Sequence, residues 1–227
     1  INESQEFVIS KFLKRYDYDG VLDILIEADI ETGDLYNILE SCKYATNFDF
    51  DTSLKMIKKL SESMLERKDI QALITNLENL QKGEPEDILS ELIENMKIQV
   101  MNEEYIDFLG RLYRLKEALF KYIFVSTKES KKYIVSMHGH MVSKKNILYT
   151  LKKKYNIYNG NLIHGVTQYI KRYIKQTKRM DKVLEILNSQ KLENLIKLRN
   201  ESPVGHGFKG VSREDIEVEV IENPVKG

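Results

Sequence analysis

Apolar side chains recur at helical spacing along most of the chain. SQEFVISKFLKRY places Phe7, Ile9, Phe12 and Leu13 near one helical stripe, and DGVLDILIEA repeats the pattern with Val21, Leu22, Leu25 and Ile26. Apolar positions three and four apart describe a one-sided helix that needs a partner. DLYNILESCKYATNFDFDTSLKMIKKLSESML predicts two more helices, split by the polar NFDFD, with Asp51, Thr52 or Ser53 capping the second. A further helix is expected from roughly Asp69 to Gln81. KGEPEDILSELIENM then restarts after a turn at Gly83, with Pro85 in the helical first turn.

From about Glu103 the periods lengthen. Ile106, Leu109, Leu112, Leu115, Leu119 and Ile123 suit a long helix buried along one face. The following STKESKKYIVSMHGHMVSKKNILYTLKKKYNIYNGN mixes glycines with uneven periods and fits a short hairpin, a loop or two short helices. LIHGVTQYIKRYIKQTKRMDKVLEILNSQKLENLIKLRN returns to helix in more than one piece, and IEVEV near the end alternates like a strand. There is no fixed-period repeat. The expected architecture is all-α, a multi-helix bundle with an allowance for a short β-hairpin.

Composition supports that reading. Only three prolines interrupt 227 residues, and an apolar fraction of 42% can build a substantial core. Cys42 is the only cysteine, so no intrachain disulfide is possible. A start at Ile1 and apolar runs far shorter than a membrane span lead us to expect a cytoplasmic fragment of a longer chain, without membrane association.

Charge changes the picture more. Residues 1–100 carry 11 Lys and Arg against 21 Asp and Glu, and residues 101–227 carry 24 against 14. We therefore expect an acidic helical subdomain over 1–100 and a basic domain over 101–227. Between Phe108 and Arg199 stand 21 basic and 5 acidic residues with eight tyrosines: Tyr113, Tyr122, Tyr133, Tyr149, Tyr155, Tyr158, Tyr169 and Tyr173. Cations neutralise phosphates and aromatic faces stack bases, so this region is a candidate nucleic-acid surface. Solvated lysines with tyrosines half in the core would give the same composition.

Few residues are arranged for chemistry. His138 and His140 in MHGHM are two apart, which neither shares a helix face nor fits a zinc frame, so a glycine turn with exposed histidines is expected and no metal. His164 reads as a packed or loop residue. No phosphate-binding glycine loop or nucleophile elbow is present, Cys42 sits in a helical pattern as a core residue, and NFDFD lacks calcium-loop spacing. No cofactor is expected.

LRNESPVGHGF, Leu198 to Phe208, stands apart. Leu192, Leu195, Ile196 and Leu198 commit a helix to the core, and Arg199 emerges near its end, followed by Asn200 and Ser202 as hydrogen-bonding groups for a substrate. Pro203 opposes continuation of the helix, and Gly205 and Gly207 let a backbone or ligand approach His206. A permanent cation beside a titratable base suits RNA cleavage by the ribose 2′-hydroxyl. A helix C-terminus ended by glycine is the simpler account of the same residues.

Arg199-Asn200, five more residues and His206 resemble the motif of HEPN ribonucleases. FLKRYDYDGVLDIL, CKYATNFDFDTSL, FLGRLYRLKEALFKY and RNESPVGHGFKGVSREDI follow in an order similar to the helical part of the CRISPR type III-A accessory ribonucleases. The resemblance implies a HEPN domain at the end of an all-helical region, normally preceded by a CARF domain that senses cyclic oligoadenylate and is not visible here. It implies a homodimer whose paired Arg199 and His206 line one cleft, cutting single-stranded RNA without a metal in antiviral defence. By the same resemblance Arg199 would polarise the scissile phosphate, His206 would move protons or contact phosphate, and Asn200 would orient the pair or the substrate. A non-catalytic helical module that binds RNA or a nucleotide, and a helical scaffold docked through the acidic half, remain open beside it.

Overall fold

The computed structural model describes residues 1–127, 143–175 and 177–221. Among these every regular element is a helix, and the chain divides into two compact units, Ile1–Ile88 and Leu89–Gly227. The division falls inside one helix, twelve residues before the change of charge at residue 100.

The first unit holds α1 (Glu3–Lys14), α2 (Tyr18–Glu27), α3 (Asp34–Thr46), α4 (Phe50–Ile57), the single turn α5 (Glu62–Leu65) and α6 (Lys68–Lys82). On α2, Val21, Leu22 and Leu25 are buried, whereas Ile26 points out. They meet Leu39 of α3 and the half-buried Ile9 and Phe12 of α1, while Phe7 is exposed. Gly20 admits Phe12, whose ring would lie 2.9 Å from any Cβ placed there. Small residues set the approach of α3 and α4: the buried Ser41 and Ser53 hydroxyls are 2.9 Å apart, and Ser53 Oγ also donates to the Ser41 carbonyl at 2.8 Å. Ser53 is thus a core residue, and the α4 cap is Asp49, whose carboxylate accepts the Thr52 N–H at 3.1 Å. Phe50, Leu54 and Ile57 need the helix to begin two residues earlier than a cap at Asp51 allows. Asp34 accepts from both the hydroxyl and the N–H of Ser61, at 2.6 and 2.7 Å, which holds its carboxyl below the ordinary range and fixes the start of α3. Cys42 is half-buried, and burial raises its thiol, offset in part by a hydrogen bond from Tyr18. Gly83 closes α6 in the left-handed conformation at φ 77°.

α7 (Pro85–Met101) carries the chain into the second unit, followed by α8 (Tyr105–Ser126), α9 (Lys144–Tyr155), α10 (Leu162–Tyr173), α11 (Lys178–Leu187), α12 (Gln190–Glu201) and α13 (Arg213–Ile221). The main core joins Phe120, Ile123 and Phe124 of α8 to Ile147 and Leu151 of α9, Val166, Tyr169 and Ile170 of α10, and Leu184 and Leu187 of α11. Tyr169 is wholly buried between Phe124 and Tyr155, with ring centroids 5.1 and 4.7 Å away in edge-on contacts. Tyr155 and Tyr169 therefore serve packing, not a ligand surface.

Two strand allowances turn out differently. IEVEV lies in α13, where Ser212 and Asp215 cap each other through their N–H groups and Arg213 pairs with Glu217 at 2.7 Å one turn on. A capping box and a one-turn ion pair favour helix, and only one apolar stripe, at Ile216, needs a core to meet. The hairpin allowance, with His138 and His140, lies mostly outside the described residues; the part that is described, from Lys144, is helix α9.

Two predictions concern this scaffold. Phe120→Ala removes a fully buried ring from the main core and is expected to cost about 3–5 kcal/mol in urea unfolding. On α7, burial, with a smaller push from Glu94, raises the Glu91 carboxyl above its ordinary value. A raised carboxyl favours the folded state while protonated and loses that contribution as pH rises through its folded value. Glu91→Gln is expected to gain stability over the parent at neutral pH and to match it below about pH 4. Equal gains at both pH values in thermal melts would refute the assignment.

Candidate Arg–His site at the end of α12

α12 is capped by Ser189, whose hydroxyl accepts the Leu192 N–H at 3.4 Å. Leu195 and Leu198 bury one face against Leu109 of α8, with Phe108, Leu112, Val211 and Ile216 closing the cluster. This apposition sets the direction in which Arg199 leaves the helix. Its guanidinium carbon lies 4.8 Å from the centroid of the Tyr113 ring on α8, within cation–π range. Nη1 donates to Asn200 Oδ1 at 3.1 Å, and Nε is buried without an acceptor among the described residues. Tyr113 thus restricts a side chain that otherwise has many rotamers.

The turn after α12 is tied back to the helix by its backbone. Ser202 is the cap residue: its hydroxyl and N–H both donate to the Arg199 carbonyl, at 2.7 and 3.2 Å. The Gly205 N–H donates to the Ser202 carbonyl at 2.9 Å, the His206 N–H to the Asn200 carbonyl at 3.0 Å, and the Lys209 N–H to the Glu201 carbonyl at 2.9 Å. Two glycines make this return possible. A Cβ at Gly205 would sit 2.5 Å from the Arg199 carbonyl oxygen, and one at Gly207 would overlap the Glu201 carbonyl. Val204 packs over Gly110 of α8, 3.8 Å from the position of a Cβ there, so the turn rests on the helix that carries Tyr113.

The structure therefore places the four predicted residues within one helix end and one turn. Arg199 and Asn200 touch through their side chains, and His206 joins them through its backbone, leaving its imidazole exposed. Ser202 is a correction. Its hydroxyl is fully buried and committed to the Arg199 carbonyl, so it braces the turn and presents nothing to a substrate. His164, expected to be packed or in a loop, is an exposed residue in the first turn of α10. Among the described residues no cluster of three or more His, Cys, Asp or Glu could hold a metal ion, and no helix is long and apolar enough to cross a membrane.

Sequence reasoning missed Lys116. It lies on the buried face of α8 with its side chain 1% exposed, and its ammonium pairs with Glu193 in the first turn of α12. The pair joins the two helices that position Arg199 and Tyr113. Its signal was present, since Lys116 falls four residues from both Leu112 and Phe120 and interrupts an apolar stripe. Comparison with protein-family models, curated proteins and solved structures finds no match for the chain.

A buried lysine that loses its counter-charge is costly, whereas an apolar replacement of similar length is not. Glu193→Gln is expected to destabilise the protein by about 3 kcal/mol, less to the extent that half-exposed Glu193 is screened. Lys116→Met should be near neutral. Urea titrations of the two variants check this, and the reverse ranking would show that the pair does not hold α8 to α12.

Proposed function

We propose that the chain is a HEPN-type endoribonuclease module that cleaves single-stranded RNA through attack of the ribose 2′-hydroxyl, without a metal. The observation that carries the reading is the Arg199 guanidinium, held on Tyr113 at a helix end whose next turn brings His206 back onto Asn200. A guanidinium lying over a ring can still donate N–H groups from its own plane to a phosphate. An imidazole can both take up and give back a proton, as general acid–base catalysis requires.

In the proposed reaction Arg199 binds the non-bridging oxygens of the scissile phosphate and stabilises the charge that grows there as phosphorus becomes five-coordinate. An imidazole nitrogen of His206 takes the proton of the 2′-hydroxyl, whose oxygen bonds to phosphorus. The bond from phosphorus to the 5′-oxygen breaks, and that oxygen takes a proton from the imidazolium of a second copy. The products are a 2′,3′-cyclic phosphate and a 5′-hydroxyl. Two Arg–His pairs facing one phosphate supply both proton transfers, which is why the reading includes a homodimer. Control by cyclic oligoadenylate through a preceding sensor domain, in antiviral defence, belongs to the same proposal.

The test is cleavage of a labelled single-stranded RNA in excess EDTA at several protein concentrations. The parent is expected to cut at a rate rising more than linearly with concentration. His206→Ala should cut at least about a hundredfold more slowly, the scale of losing a general acid or base. Arg199→Ala should fall similarly. A folded His206→Ala protein as active as the parent overturns its role, and intact RNA recovered from a tight parent complex favours a binding module instead.

A further inference from the structure

From Ser130 to Met180 the chain carries twelve Lys and Arg and no Asp or Glu. Elsewhere lysines pair with carboxylates, as Lys43 does with Asp19 at 2.8 Å and Lys58 with Glu78 at 3.2 Å. A solvated surface ordinarily mixes both signs, because like charges repel. α9 lies within this acid-free run. Its Ser143 cap, with Oγ accepting the Asn146 N–H at 3.1 Å, and the buried stripe Ile147, Leu151 and Tyr155 anchor it to the core. The other stripe is therefore presented on a rigid element.

That stripe has a defined composition. Asn146, Tyr149 and Lys153, spaced three and four apart, line a pocket of about 460 Å³ together with Lys154 and with Thr150, which is itself buried. Tyr149 is 63% exposed. Past the end of the helix, Tyr158 is 72% exposed, with the Lys152 ammonium 5.7 Å from its ring centroid. Buried tyrosines would mean packing, as Tyr155 and Tyr169 do; these two rings are exposed, Tyr158 with a cation over one face. Aliphatic residues that would enter a bilayer are missing from the stripe.

We propose that this face of α9 is a binding platform for single-stranded RNA. A base stacks on Tyr149 in the pocket, a neighbouring base stacks on Tyr158, and Lys152 and Lys153 neutralise the phosphates between and beside them. The platform is separate from the Arg199–His206 turn and holds the strand that the proposed ribonuclease cuts, so it rests on that reading for its biological use. Stacking accepts any base, and a duplex keeps its base faces covered, which makes the platform selective for unpaired strands.

The experiment is fluorescence-anisotropy titration of the full chain with a labelled 2′-O-methyl oligouridylate of about 12 nucleotides, which lacks the attacking hydroxyl. Tyr149→Ala is expected to weaken binding about 5- to 100-fold, with Tyr149→Phe binding as the parent does. Lys153→Gln should reduce the slope of log affinity against log salt by about 0.7 between about 50 and 200 mM. Tyr149 is exposed, so its loss leaves the fold intact, which circular dichroism checks. Unchanged binding by Tyr149→Ala overturns the platform, as does a protein that ignores the strand and partitions onto phosphatidylserine vesicles. If Tyr149→Ala binds like the parent while the parent cuts RNA and His206→Ala does not, the platform falls and the ribonuclease stands. If nothing cuts but Tyr149→Ala releases the strand, the platform stands and the ribonuclease reading falls.

Discussion

The apposition of α8 and α12 governs what the second unit can do. Leu109 against Leu195 and Leu198 supplies the apolar part of the contact, and the Lys116–Glu193 pair supplies the polar part. An apolar seam alone tolerates sliding by a residue or a turn with modest loss, because one leucine packs much like another. A buried ammonium does not, since it must meet its carboxylate or lose several kcal/mol of compensation. Register between the helices is thereby restricted, and with it the placement of Arg199 over Tyr113. The same register puts Val204 on Gly110, which seats the turn bearing His206.

Arginine and histidine are presented differently as a result. Arg199 is held at several points: by the helix, by the Tyr113 ring and by Asn200. His206 is held through its backbone, on a turn whose hydrogen bonds return to the carbonyls of Arg199, Asn200, Glu201 and Ser202, while its imidazole is exposed. The guanidinium is thus preorganised, whereas the exposed imidazole keeps its rotational freedom. The glycines at 205 and 207 matter here for space rather than for dihedral freedom, because a Cβ at either would collide with the carbonyls that the turn folds back onto.

The tyrosines show how one residue type divides into roles. Tyr169 is enclosed by Phe124 and Tyr155, and Tyr173 donates its hydroxyl to the Tyr155 carbonyl at 2.9 Å. Tyr113 supports a guanidinium, and Tyr149 and Tyr158 face water among lysines. A count of aromatic residues in a basic region mixes all three situations. Only burial and neighbours separate them.

Much of this protein is legible in its sequence, because helix formation is decided locally. Periodic apolar residues, scarce proline and the glycine after α6 identify α1, α2, α3, α6 and α8 within a residue or two, whereas α9 is left open, α10 to α12 merge into one helical stretch and α13 reads as a strand; the Arg199–His206 turn is visible as the stretch that departs from helical patterning. Charge segregation is equally a property of the chain. Tertiary structure decided what depends on residues distant in sequence. Lys116 became a core residue because Glu193, 77 positions away, arrived beside it, and Ser53 became a helix spacer because Ser41 faced it. Ser202 lost its access to ligands by turning its hydroxyl onto Arg199. In each case the side chain alone permits a solvated or ligand-binding role, and desolvation by a neighbouring element selects the structural one.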